Sequence, residues 1–288
     1  MSGVEGLLVL QHQQTRLTVD PARGGVIREL KWRDWDILRP TPADAGDDPF
    51  DTACFPMVPY VNRVANGRFA FDGHAVQLAR NWSKDPHPIH GDGWRSPWQV
   101  TSSTQSRATL RFEAGGGQWP WRYASEQSFQ LLHDGLAVEL SVENLGSTPM
   151  PAMLGLHPYF PDAAHARMEA VLPRVWLTDS AALPVEETAT PADWSFAPAG
   201  RAVQAVSLDH GFSGWDGVAR LRWPDHTVTV RSSDCRFLHV YTPAGRDFFC
   251  VEPQTAPPGA LTRNAREAAV VPPGERLAIQ VHFSSGAI

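Results

Sequence analysis

The sequence predicts an all-β protein, a large antiparallel β-sandwich or barrel, on three observations. Short segments with apolar and polar residues in alternation recur from end to end, the period that turns one face of a strand to a core and the other to water. Turn dipeptides that tolerate positive φ separate them. No amphipathic helix longer than about a dozen residues is readable, so nothing could serve as the crossover that parallel strands require. The 25 Pro and 23 Gly among 288 residues agree, because both punctuate turns and neither suits a long helix.

Residues 7–10, 16–19 and 26–32 are the first apolar-rich strands. In 68–71, Phe69 and Phe71 alternate with Arg68 and Ala70, and Val76 and Leu78 do the same in 75–78. Asn66-Gly67 precedes this hairpin and Asp72-Gly73 turns it. Segment 108–112 alternates through Ala108, Leu110 and Phe112, and segment 136–142 through Leu136, Val138, Leu140 and Val142. The turns Asp134-Gly135 and Asn144-Leu145-Gly146 bound the latter. Segments 219–223, 227–231 and 277–283 repeat the pattern, and 248–251 is a continuous apolar run. The stretch 181–202, rich in Ala, Pro, Glu and Thr, is expected to be a long surface loop, and Gly115-Gly116-Gly117 a flexible connection. Strand patterns resume on both sides and no repeat is visible, so residues 1–288 are expected to form a single domain.

A formal net charge of −6 without a basic stripe excludes nucleic acid and anionic membrane as partners. The first residues lack the basic and apolar regions of a leader, and no later run approaches the ~20 apolar residues of a span, so a cytoplasmic protein without an anchor is expected, as monomer or homodimer. Cys54, Cys235 and Cys250 are odd in number and form no CxxC pair. They are expected to be reduced core thiols, with neither a disulfide framework nor a zinc site.

Four segments concentrate Gly, Pro, His, aromatic and charged residues beyond what packing requires. In residues 55–63, Pro56, Pro59 and Tyr60 stiffen the approach to Asn62 and Arg63, whose amide and guanidinium can donate in fixed directions to hydroxyls. In residues 87–98, glycines follow His90, while Trp94 and Trp98 offer flat apolar faces, a combination suited to a carbohydrate. His87 and His90 share the spacing of a metal pair, but on a Pro-containing loop without the helix and Glu of a zincin, so no metal is expected. In residues 153–160 an apolar strand ends at His157, held extended by Pro158 and denied charge by apolar neighbours. In residues 248–254, Glu252 follows a run of Phe, Phe, Cys and Val, where an unpaired carboxylate is costly and needs a partner or a raised pKa, as a general base does. Asp209 adds an acid beside a Gly turn. Singly, each of these residues also fits a structural role, as a solvated Arg, a capping or core His, or an Asx-turn Asp.

In this order, the segments Val58-Pro59-Tyr60-Val61-Asn62-Arg63, His90-Gly91-Asp92-Gly93-Trp94, Gly155-Leu156-His157-Pro158-Tyr159-Phe160, Leu208-Asp209-His210-Gly211-Phe212 and Val251-Glu252-Pro253 resemble the aldose 1-epimerase (galactose mutarotase-like) family, in its shorter bacterial branch. The resemblance runs through nearly the whole chain. It implies a many-stranded antiparallel β-sandwich with an open cleft on one sheet, a small-molecule sugar as substrate, and no cofactor or metal. It also implies roles: Glu252 as general base, His157 as general acid, and Arg63, His90 and Asp209 as groups that hold sugar hydroxyls, with Asn62 and His239 beside them. His239 stands where longer members often carry Gln, and Trp119 and Trp121 match a pattern that suggests a wall. The implied reaction opens a pyranose by taking the proton of the anomeric hydroxyl and giving one to the ring oxygen, with Glu252 and His157 expected on opposite sides of the sugar. The sequence leaves open a non-catalytic sugar-binding module, a hexose phosphate as substrate through Arg80, Lys84 and Arg95, and glycoside cleavage by Asp209 and Glu252.

Overall fold

A computed structural model describes residues 6–115 and 117–288; the first five residues, and Gly116 within the expected Gly-rich connection, lie outside the described residues. Two antiparallel sheets, of 11 and 9 strands, make up most of the chain, accompanied by two small two-stranded sheets. Neither large sheet closes on itself, so the architecture is a sandwich and not a barrel.

The 9-stranded sheet shows how alternation becomes packing. Gly135–Asn144 lies against Arg276–Ala287 in a register that sets Leu136, Val138, Leu140 and Val142 opposite Phe283, Val281, Ile279 and Leu277. These rows form the inner face, where each buried large apolar side chain contributes about 1.5–3 kcal/mol. Across the sandwich, Phe160 approaches Phe283 with ring centroids 6.5 Å apart, and Phe249 approaches Trp223 at 6.2 Å. Apolar residues from both sheets thereby join one buried cluster that runs from Leu10 to Phe283.

Five neighbouring strands of the other sheet position the candidate site. In chain order they are β1 (Cys54–Met57), β2 (Gly155–Pro161), β3 (Asp209–Ser213), β4 (Phe237–Tyr241) and β5 (Phe248–Gln254). In space they run β1-β2-β5-β4-β3. On β5, Phe249 and Val251 turn inward, while Cys250, Glu252 and Gln254 turn to the opposite face, since successive side chains alternate. That opposite face is covered by loops, so residues on both faces of β5 are buried from Phe249 to Gln254.

The segments expected as strands all lie in strands, with ends shifted by a few residues. The stretch 181–202 is a correction: it holds the strand Pro184–Ala189, which pairs with Arg174–Thr178 at the edge of the 11-stranded sheet, and Arg201–Ala202 at the edge of the other. Edge strands have little to bury on their outer side, and Val185 there is 64% exposed, so the apolar signal is weak. The turns divide into two kinds. Asp72 and Gly73 have φ of 47° and 80°, as a two-residue hairpin turn requires. Gly135 does not take positive φ; it is glycine because a Cβ would lie 1.9 Å from the carbonyl oxygen of Phe283. All three cysteines are buried and free. The one α-helix among the described residues spans Ala260–Asn264, and no described helix is long and apolar enough to cross a membrane.

The Gly135 contact yields a first prediction. Gly135→Ala forces the two central strands of the 9-stranded sheet apart and should lower the folding free energy by about 1–3 kcal/mol, read as an earlier midpoint in urea. An unchanged midpoint would mean that the ladder opens there without cost.

Candidate active site

The site begins with an interruption in the ladder between β2 and β5. Gly155 faces Gln254 and Tyr159 faces Cys250 in register, but no pairing joins the residues between them. Pro158 on one strand and Pro253 on the other carry no N–H to donate. Midway through this gap His157 stands opposite Glu252, and their side chains meet on the loop-covered face with His157 Nε2 3.3 Å from Glu252 Oε1. Glu252 is 2% exposed and His157 5%.

The same register continues sideways. Phe55 of β1 pairs with His157, His239 of β4 pairs with Glu252, and Gly211 of β3 pairs with His239. Phe55, His157, Glu252, His239 and Gly211 thus form one row across five strands, because cross-strand partners share a face. Phe55 stacks on the His157 ring at 4.4 Å and Tyr159 stacks on it at 4.8 Å. Asp209 lies two residues from Gly211 on that face and its Oδ1 is 2.8 Å from His239 Nε2. Gln254 donates to the other oxygen of Glu252 at 3.2 Å.

Two loops close over the row and are clamped to each other. Asn62 and His90 both take left-handed backbone, with φ of 57° and 60°. The His90 N–H donates to the Asn62 carbonyl, and the Asn62 N–H donates to His90 Nδ1, each at 3.2 Å. Nδ1 is therefore an acceptor, which leaves Nε2 as the N–H of a neutral His90. Gly91, at φ 74°, has to be glycine on a second ground, since a Cβ would lie 2.1 Å from the Val58 carbonyl oxygen. Asn62 Oδ1 accepts the Arg63 N–H at 2.7 Å, and its Nδ2 lies 3.4 Å from His239 Nδ1. Arg63 is aimed by Asp85, which accepts from its Nε at 2.7 Å while also accepting the His87 N–H. Its terminal nitrogens remain for a ligand.

All seven residues expected at the site, Asn62, Arg63, His90, His157, Asp209, His239 and Glu252, line one cavity of about 160 Å³. Phe50, Trp82, Ile89 and Tyr241 line it too, and the sequence reading missed them. Phe50 and Trp82 stack at 4.1 Å and 15°, and form the aromatic wall. Arg39 holds Phe50 in place by donating to its carbonyl oxygen at 2.9 Å. Tyr241 was within reach of the pattern, since it lies two residues after His239 on the same face of β4. The tryptophans singled out from sequence do other work. Trp94 and Trp98 are buried and donate to the Gly91 and Gly93 carbonyl oxygens, each at 2.8 Å. Trp119 and Trp121 pack beneath the hairpin that carries Phe69 and Phe71. None of the four lines the cavity.

Burial sets the protonation states. It pushes the Glu252 carboxyl up to about 7, against the opposing pull of His239. It pushes His157 down to about 3, with His239 acting in the same direction. His157 is thus neutral at physiological pH, and its Nδ1 is buried without a hydrogen-bond partner among the described residues. Burial also pushes His90 well down, reinforced by His157 and Arg63. Asp209 goes the other way: burial works to raise it, but the His239 hydrogen bond and charge and the charge of Arg63 win, and it is held at about 2. For His239 burial is outweighed by Glu252 and Asp209, which raise it.

His157, Cys250 and Glu252 also offer one metal-ligand atom each, within 4.8 Å of one another. Burial, with Glu252 next, drives the Cys250 thiol well above its usual range. A thiol that keeps its proton is a poor ligand, and a metal there would have to take the Glu252 and His157 atoms that now face each other. His87 and His90 do not converge, because His87 Nδ1 accepts the Asn66 N–H and His87 does not line the cavity.

Comparison with known proteins points to one family. A family model described as aldose 1-epimerase matches residues 6–284. An uncharacterized Escherichia coli K12 protein, YphB, is 36% identical over 265 residues, covering 88% of this chain and 89% of its own. A crystal structure from Escherichia coli K12, of a protein proposed to be an aldose 1-epimerase, superposes with a TM-score of 0.91 at 29% identity, over 98% of this chain and 99% of that one. A galactose 1-epimerase from Lactobacillus acidophilus, at 15% identity and a TM-score of 0.81 over 98% of this chain and 94% of that one, shares the fold. With the family model matched along nearly the whole chain and the same sandwich in its relatives, this chain belongs to the aldose 1-epimerase family.

Proposed function

We propose that the protein is a mutarotase that interconverts the α and β anomers of a free, neutral aldose such as glucose or galactose. The observation that carries this reading is the buried contact between Glu252 and neutral His157 at 3.3 Å in the wall of a sugar-sized cavity. Sequence led us to expect these groups on opposite sides of the sugar, yet adjacency suits the chemistry. The anomeric hydroxyl and the ring oxygen are both bonded to C1, so the proton that leaves one and the proton that reaches the other move within a small space.

Glu252 as carboxylate takes the proton of the anomeric hydroxyl. The electrons of that O–H bond form the aldehyde C=O, the C1–ring oxygen bond breaks, and the ring oxygen takes the Nε2 proton of His157. In the same step Glu252 passes its newly acquired proton to His157 across their contact, so no imidazolate is left and both groups are back in their starting states. Rotation about C1–C2 and the reverse sequence give the other anomer. No free imidazolium is needed, which fits the low pKa of His157. Each well-placed proton transfer is worth about 10²–10⁴-fold.

The remaining groups fit a neutral ring. Arg63, the His90 Nε2–H and the free oxygen of Asp209 offer donors and an acceptor to hydroxyls, and the Phe50–Trp82 wall offers an apolar surface to C–H bonds. A hexose phosphate is less well served. Arg80 donates to the Asp85 and Ser83 carbonyl oxygens, Arg95 to the Asn81 carbonyl oxygen, and Lys84 pairs with Asp48 at 2.7 Å.

The test is optical rotation of freshly dissolved α-D-glucose and α-D-galactose in a weakly catalysing buffer. Faster decay to the same endpoint establishes the activity. Tight sugar binding without acceleration would instead mark a non-catalytic sugar-binding protein, and nitrophenol release from an aryl glycoside would mark a hydrolase. Glu252→Gln and His157→Asn should each lose about 10²–10⁴-fold in kcat while circular dichroism and the thermal midpoint stay native. Near-wild-type turnover in either removes that residue from the mechanism. A raised carboxyl pKa keeps Glu252 protonated to higher pH, so kcat/KM should rise with pH through about 7. A profile that falls through that range would show that the active form carries one proton more. Arg63→Ala should raise KM more than it lowers kcat, as loss of a group that binds ground and transition states alike does.

A further inference from the structure

We propose that His239 is a positioning residue that stands as an imidazolium between Asp209 and Glu252 and holds Glu252 in its base form, and that it does not read the sugar. The proposal rests on the mutarotase reading for its kinetic consequence, but not for its electrostatic one.

Both ring nitrogens of His239 are directed at protein groups. Nε2 faces Asp209 Oδ1 at 2.8 Å, and a carboxylate only accepts, so Nε2 donates. Nδ1 faces Asn62 Nδ2 at 3.4 Å. The Asn62 amide cannot reverse without losing the bond from the Arg63 N–H to Oδ1. A sugar hydroxyl therefore has no free nitrogen of His239 to meet. The contact at Nδ1 is the longest in this network and the easiest to give up. A second proton placed there would set two donors against each other, so charging His239 costs this one contact.

The pull toward that second proton comes from both sides. Asp209 on β3 and Glu252 on β5 flank His239 on β4, and Glu252 is its direct partner across the ladder. The other charged or titratable groups facing it are Arg63 from the loop that carries Asn62, His90 from the second loop, and His157 on β2. Arg63 opposes the proton but is itself neutralised by Asp85. The two remaining histidines stay neutral through burial. Glu252 has no cation in direct contact among the described residues; its neighbours within hydrogen-bond distance are His157 and Gln254, both neutral. Without a positive charge nearby, a carboxylate this deeply buried would keep its proton well above neutral pH. A charged His239 supplies it, and Asp209 in turn keeps His239 charged.

Ring ¹⁵N NMR of the whole protein, with His239 assigned by substitution, tests the charge directly. Both nitrogens of His239 should carry protons at neutral pH; a bare nitrogen there overturns the proposal. A second readout follows the Glu252 carboxyl by ¹³C NMR, assigned with Glu252→Gln. In His239→Gln, which keeps a donor for Asp209, the Glu252 midpoint should move up by about one pH unit or more, and the rising limb of kcat/KM should move with it. KM measured above that limb should change by less than about threefold, because a group that only sets ionisation contributes little to ground-state binding. His239→Asn serves as the second variant if the first loses its native thermal midpoint. An unmoved Glu252 midpoint overturns the proposal, as does a KM raised about tenfold with kcat intact, the signature of a lost sugar contact. If the wild-type protein fails to speed mutarotation, the functional reading falls, while the NMR midpoints still decide the role of His239.

Discussion

A carboxylate buried in the middle of a β-sheet is the constraint on which the rest of this site depends. Moving such a group out of water costs several kcal/mol even after relaxation, and Glu252 is almost wholly removed from solvent. An arginine or lysine against it would relieve the cost but would leave a carboxylate too weakly basic to take a proton from a hydroxyl. Around Glu252 there are instead a neutral imidazole, a neutral amide and a histidine one strand away. Burial without a contacting cation brings the carboxyl to about 7, where it is both basic and substantially ionised in neutral solution.

The sandwich makes this arrangement durable. A carboxyl group on a loop would have room to swing toward water, whereas Glu252 is fixed by β5 with strands on either side and a packed core behind it. The two prolines that open the ladder also belong to this design. They remove N–H groups that would otherwise need partners in a buried position, and the gap they leave lets His157 and Glu252 face each other. Phe55 and Tyr159 both pack against the His157 ring, which helps its Nε2 keep its direction.

How much of this was legible in the sequence follows from which faces are buried. In the 9-stranded sheet, Leu136 to Val142 and Leu277 to Phe283 meet the core on one side and water on the other, so alternation is plain. Along β1, β2 and β5 both faces are covered, one by the second sheet and one by loops, and period-two patterning disappears. Of these, 248–251 was read from its continuous apolar run and 153–160 as an apolar strand ending at His157, while Cys54–Met57 was not read as a strand. Asn62, Arg63, His90, His157, Asp209 and Glu252 were found because polar groups in stiff Pro- and Gly-bounded or apolar contexts are hard to explain by packing, whereas His239 was named only through the family resemblance. Phe50 and Trp82 gave no such signal, since one aromatic residue in a loop resembles another until Arg39 and Asp48 are seen to fix their positions. Trp94 and Trp98 misled for the converse reason. Their rings look suited to a sugar, but an indole N–H within reach of a buried carbonyl oxygen satisfies the backbone first.

The site has two origins, and one residue joins them. The sheet supplies the proton chemistry through a row of side chains whose spacing is that of the strands themselves. The loops supply Arg63, His90, Phe50 and Trp82, whose positions depend on local turns and not on the sheet. Asn62 belongs to both parts. Its backbone N–H holds His90, its Oδ1 holds the Arg63 backbone, and its Nδ2 faces His239 in the row. Asparagine is among the few residues that tolerate the left-handed backbone found there, and its amide offers a donor and an acceptor on one short side chain. Any shift in the protonation of His239 is therefore felt at Asn62, and through Asn62 by the two loop residues that face the ligand. Through this single amide, the groups that would hold the sugar stay in register with the groups that would move its protons.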